Sequence, residues 1–149
     1  MISVEFDSIK SDKTIRAAIQ KAVKTALEGM NADLSVVVCD DDFIHSLNKQ
    51  YRDVDRPTDV LSFESDEIDP ESDTRYLGDI IISLPRATAQ AEEANHPVSE
   101  EISMLAIHGV LHLLGFDHHS PDEKNIMWVK QRELLHSLGI EMDSFSGDE

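Results

Sequence analysis

The sequence predicts a single α+β domain, a small mixed sheet of about four strands packed with four or five helices, one of them central, apolar and carrying two metal-binding histidines. Three observations lead there. Short β-branched runs bounded by turn residues lie before residue 84, and the longest apolar stretch with helical spacing comes after it. At 149 residues and 40% hydrophobic content the chain is one ordinary domain, residues 1–149, able to bury a core. Glycines, prolines and capping residues divide it at intervals that suit short elements, with no repeat and no low-complexity linker.

In chain order, Ile2, Val4 and Phe6 alternate with polar neighbours and predict a strand with one buried face. Ser11 or Asp12 then caps a helix running to Gly29. Ile15, Ala18, Ile19, Ala22, Val23 and Ala26 form its apolar face, and Lys13, Arg16, Lys21 and Lys24 gather on another. Leu34 to Cys39 is an interior strand, and Asp40 or Asp41 caps a short helix ending near Tyr51. Residues 52–58 form a polar loop whose Pro57 steers the chain into a strand over Val60 to Phe63. The acidic stretch 64–75 lacks apolar periodicity and predicts a mobile loop. Leu77 to Ser83 is a strand buried on both faces, so Asp79 within it needs a partner, expected in the backbone near Thr58 and Asp59. Pro85 opens the next helix, which ends by Asn95 to Pro97. Ser99, Glu100 and Glu101 begin the apolar helix, their carboxylates suiting its positive end. Ser120-Pro121-Asp122 begins a last helix through Met127, Trp128 and Leu135 to Gly139, with Met127 and Trp128 expected in the core. An acidic tail expected to fray occupies 141–149.

Chemistry concentrates at His108-Gly109-Val110-Leu111-His112-Leu113-Leu114-Gly115-Phe116-Asp117-His118. Helical spacing puts His108 and His112 one turn apart on one side, and Gly115 can end the helix in the left-handed conformation and return His118 toward them. Lone histidines on an apolar helix are usually core residues satisfied by hydrogen bonds, but three in this spacing point to one metal ion. Three protein nitrogens with a fourth position open is the catalytic arrangement for zinc. We therefore expect one zinc ion per chain on His108, His112 and His118, with the adjacent His119 a weaker candidate. The spacing is that of the zinc-protease signature H-E-x-x-H-x-x-G-x-x-H, except that Gly109 stands where the protease carries its glutamate. The usual general base for peptide hydrolysis is thus missing, and Asp117 is expected to orient an imidazole rather than to act as a base.

A net charge of −17 argues, taken alone, against an RNA-binding protein, because Lys and Arg contacts to phosphate supply most non-specific affinity. The acid, however, is concentrated at 64–73, 92–101 and the C-terminal tail, which leaves the lysine-rich helix as a basic surface. The single cysteine excludes an internal disulfide, and the first residues have no leader-like pattern, so a cytoplasmic location is expected. No run is long and apolar enough to span a membrane.

The segment HGVLHLLGFDHH at 108–119 closely resembles the signature of the YbeY family of bacterial metal-dependent endoribonucleases, and YRDVDRPTDVLSF at 51–63 and LGDIIIS at 77–83 resemble that family's other characteristic stretches in the same order. Departures are small, Phe116 replacing a more usual Tyr and Glu64 following Phe63 where the family often has Pro. The resemblance implies single-strand-specific, metal-dependent cleavage of RNA in ribosomal RNA processing. It implies ribosomal RNA precursors as substrate, ribosomal subunits or assembly proteins as further partners, and neither DNA nor membrane. It also implies a functional role for Arg52, whose planar fork suits a scissile phosphate; no such argument covers Arg56. Two other classes remain: a zinc peptidase, favoured by the histidine spacing and opposed by Gly109, and a non-catalytic ribosome-assembly factor with a structural metal.

Overall fold

The computed structural model describes residues 1–142, apart from the side chain of Asp66. Four strands and five helices follow one another as β1 (Ile2–Phe6), α1 (Lys13–Ala26), β2 (Ala32–Cys39), α2 (Asp41–Arg52), β3 (Val60–Ile68), β4 (Arg75–Ser83), α3 (Leu84–Ala94), α4 (Val98–Leu113) and α5 (Pro121–Ser137). The strands form one mixed sheet in the order β1-β2-β4-β3, parallel from β1 through β4, with β3 antiparallel on the β4 edge. Three helices begin at one of the capping residues expected: Asp12, not Ser11, accepts from the Thr14 and Ile15 amides, Asp40, not Asp41, from Phe43, and Ser120 from Glu123, whereas α4 starts after Pro97 with no side-chain cap.

Alternation along the strands sorts their side chains between two cores of unequal size. Val36, Val38, Val60, Ile80 and Ile82 join α1, α4 and α5 in the main core. Cys39, Leu61 and Ile81 face the other way, against Ile44, Phe43 and Leu47 of α2. Ile80, Ile81 and Ile82 are therefore buried on both sides of the sheet, as their run predicts. Burial also pushes the Cys39 thiol up to about 12, which leaves it an inert core residue.

Helix α4 is the centre of the main core. It lies across β3 and β4 and packs against α1, α3 and α5, with every residue from Glu101 to Leu111 buried. At Gly109 it approaches the sheet closely: a Cβ built there would stand 2.8 Å from Cγ2 of Ile80. Only a residue without a side chain lets the helix settle this deeply.

Several expectations need correction. The acidic stretch 64–75 is not a loop throughout, since β3 continues to Ile68 and β4 starts at Arg75, joined by a turn over 69–74. Asp69 organises that turn, its Oδ1 accepting from the Glu71 amide at 2.9 Å and its backbone pairing with Thr74 and Asp73. Charged side chains on this sheet edge discourage pairing with another chain, which is why apolar periodicity is missing from a real strand. The partner of Asp79 is the Tyr76 hydroxyl, itself 2.9 Å from Ser35 Oγ, rather than the backbone near Thr58 and Asp59. Asp59, just before β3, is buried instead, accepting from Gln90 Nε2 at 3.1 Å and so tying the approach to β3 to α3. Glu100 and Glu101 do lie in the first turn of α4, as expected, and Glu101 is in addition buried and paired with His96 Nε2 at 2.7 Å, burial raising its pKa. On α5 Met127 is buried but Trp128 only half so. Of the acidic tail, Glu141 pairs with His136 and Met142 packs against the main core, while residues 143–149 lie outside the described residues.

Candidate metal centre

Two of the three histidines owe their positions to α4 and the third to the turn that ends it. His108 and His112 stack one turn apart, their ring centroids 4.7 Å from each other. After Leu114, Gly115 adopts φ 100°, and the amides of Gly115 and Phe116 return to the carbonyls of His112 and Leu111 at 3.0 and 2.9 Å. That paired closure reverses the chain. His118 then arrives with its ring 5.1 Å from that of His112 and 5.7 Å from that of His108. One ligand atom from each of the three lies within 4.8 Å of the others.

The donor set suits a metal ion. Nε2 of His108 and Nε2 of His112 are 3.2 Å apart. Two nitrogens bound to a tetrahedral zinc at about 2.0–2.1 Å would be separated by roughly 3.3–3.4 Å, so the rings need scarcely move to share one ion. Both are held neutral. Burial, then the neighbouring His112, pushes the His108 pKa down to about 3. Burial, then His118, pushes that of His112 down to about 4. Neutral imidazole is the form that ligates.

Around this centre the structure reassigns several side chains. Asp117 shapes the turn: Oδ1 accepts from the His118 amide at 2.8 Å and Oδ2 pairs with His119 at 2.9 Å. The ring it holds is that of the exposed His119, which is not in the three-histidine group. The ring partner of His108 is Gln131 on α5, whose Oε1 lies 3.1 Å from Nδ1. Sequence reasoning missed Gln131, although a polar residue midway between Met127 and Leu135 on the buried stripe was a readable signal. Arg52 closes α2 rather than lying in a loop, with Nη2 donating to the Ser62 carbonyl at 2.7 Å and the guanidinium 5.7 Å from the Phe63 ring centroid. It remains exposed, and its charge is near enough to help lower the His112 pKa. The basic face of α1 is different. Arg16 is drawn out of it, bonding the Val4 carbonyl and stacking on Phe6. Lys13, Lys21 and Lys24 stay exposed on a helix that packs on β1, the sheet edge opposite the β3 strand to which Arg52 is tied.

Fold and site together define a single α+β domain built around a three-histidine group able to hold a metal ion. The family model described as Endoribonuclease YbeY matches residues 2–139, and the chain belongs to that family. Among its relatives, the Endoribonuclease YbeY of Pelotomaculum thermopropionicum is 46% identical over 126 residues, 83% of each chain. That of Carboxydothermus hydrogenoformans is 42% identical over 137 residues, covering 91% of this chain and 94% of the relative. A Thermotoga maritima protein solved in solution superimposes over 100% of both chains with a TM-score of 0.57 and 28% identity. No helix among the described residues is long and apolar enough to cross a membrane.

Proposed function

We propose that the protein is a zinc-dependent, single-strand-specific endoribonuclease that acts on ribosomal RNA precursors in the cytoplasm. The observation that carries the reading is the convergence of His108, His112 and His118, in a chain of an endoribonuclease family, with no carboxylate at position 109. These histidines would hold the ion. A zinc ion held there would supply a Lewis acid for a phosphoryl oxygen and would lower the pKa of bound water toward about 7.

The chain's own groups orient the substrate. Arg52 presents a planar fork at the rim of the site, where a phosphate can be held and charge developing on it stabilised. Tyr51, the preceding residue, is exposed and lies edge-on to Phe63, its ring centroid 5.5 Å away. An exposed aromatic ring beside a phosphate-binding arginine favours unpaired bases, which can leave the stack and lie on it. A peptidase reading lacks its base, and the tight contact between Gly109 and Ile80 leaves no room for one.

The test is elemental analysis of the purified protein together with cleavage of single-stranded and duplex RNA of the same sequence. The expected result is one zinc per chain and cleavage of the single strand alone, abolished by a chelator and restored by zinc. Protein purified without chelators yet holding no transition metal, or cleavage undiminished by chelation, defeats the proposal.

A further inference from the structure

Gln131 is fully buried on α5, at the centre of a stripe whose other members are Met127 one turn before it and Leu135 one turn after. An amide in that position is unfavourable unless its polar atoms are bonded. Only one end is: Oε1 lies 3.1 Å from His108 Nδ1, whereas Nε2 is buried with no hydrogen-bond partner among the described residues. An apolar residue of similar size would pack here without that loss, so what the glutamine contributes is its carbonyl.

We propose that Gln131 is a positioning residue that sets the tautomer of His108. Its carbonyl can only accept, so the imidazole proton stays on Nδ1 and the lone pair of Nε2 points toward His112 and the centre of the group. Without that acceptor, part of the population would carry the proton on Nε2, aiming an N–H at the place where an ion must bind. A neutral carbonyl does this without adding negative charge beside a site that must receive a phosphodiester, as a carboxylate partner would. The inference deepens the metal-binding reading and adds to it a residue outside the ligand set.

Two variants separate the role from simple packing. Gln131→Leu removes the acceptor and keeps the bulk; Gln131→Glu keeps an acceptor. In the metal-free parent, long-range proton–nitrogen NMR of the imidazole should find His108 protonated on Nδ1. In Gln131→Leu it should find a mixture, and zinc affinity, read by competition with a chromophoric chelator, should fall about 10- to 100-fold. Gln131→Glu should keep both the tautomer and an affinity within about threefold of the parent. A parent ring protonated on Nε2 overturns the proposal, as does a folded Gln131→Leu protein that binds zinc as the parent does. If Gln131→Leu does not fold, the parent spectrum and Gln131→Glu still decide. A parent that binds no zinc defeats the metal reading instead, and the tautomer is read without metal.

Discussion

The seven histidines divide into two groups that differ in what they face. His45, His96, His119 and His136 each pair with one carboxylate, Asp55, Glu101, Asp117 and Glu141 respectively, at 2.6–2.9 Å. His108, His112 and His118 face one another. In a chain with 30 acidic residues, carboxylate partners are abundant, so three imidazoles that turn inward together instead are a built feature of α4 and its turn. A carboxylate beside an imidazole favours its protonated form, whereas burial among other imidazoles favours the neutral form that a metal requires.

The sharpest way to break this comparison is to replace one member of each group. His112→Ala should abolish stoichiometric metal binding and RNA cleavage, while His119→Ala, on an exposed ring, should leave both near the parent values; elemental analysis and a single-strand cleavage assay read the difference. Equal loss in the two variants would dissolve the division.

Next in size is Arg52→Ala, expected to lower cleavage on the order of 100-fold with metal content unchanged, as for loss of one charge-stabilising donor. Arg52→Lys should recover part of the rate, because a point charge cannot reproduce the fork. Unchanged cleavage by Arg52→Ala removes that residue from the site. Gly109→Glu tests the absence of the protease base from the side of packing. It should destabilise the protein by about 1–3 kcal/mol or more in urea denaturation, through overpacking against Ile80, without creating peptidase activity. A stable, proteolytic Gly109→Glu protein contradicts the steric account.

Acid should act on His108 and His112. In the metal-free protein the folded-state pKa values of His108 and His112, about 3 and about 4, lie below the ordinary 6.5. The unfolded chain therefore binds more protons than the folded one between those limits, and stability contributed by the neutral rings is present above pH 6.5 and lost as pH falls toward 3. Denaturation midpoints of the metal-free protein should fall over that window, and the fall should shrink in His108→Gln. The smallest effect is expected from Lys13→Ala with Lys24→Ala. These lysines lie exposed on α1, which packs on α4 and on β1 at the sheet edge opposite β3, so RNA affinity and its salt dependence should weaken only slightly, with little change in stability. A collapse of affinity would mean that the RNA path crosses α1.

Legibility in the sequence followed the range of the interactions. The cap at Ser120, the caps at Asp12 and Asp40 to within one residue, the turn at Gly115 and the two-sided burial of Ile80 to Ile82 are written within a few residues of chain and are readable there. Longer-range partners were not. The pull of Val4 and Phe6 on Arg16, the docking of Arg52 on Ser62 and the bond from Gln90 to Asp59 join segments whose relative placement no local pattern encodes. The acidic end of β3 escaped for a related reason: pairing with β4, not burial, makes it a strand, so it carries no apolar period.

The sequence by itself determined the α+β class, the helix that carries His108 and His112, and the turn that returns His118, because 3.6-residue periodicity and a glycine at a helix end are local constraints. Only the tertiary structure decided that the sheet runs β1-β2-β4-β3 with a single antiparallel edge, that Gly109 is a packing contact with Ile80, and that Gln131 reaches His108 across 23 residues of chain. Those outcomes depend on which buried surfaces meet, and burial is settled by the whole core at once rather than by any one stretch of it.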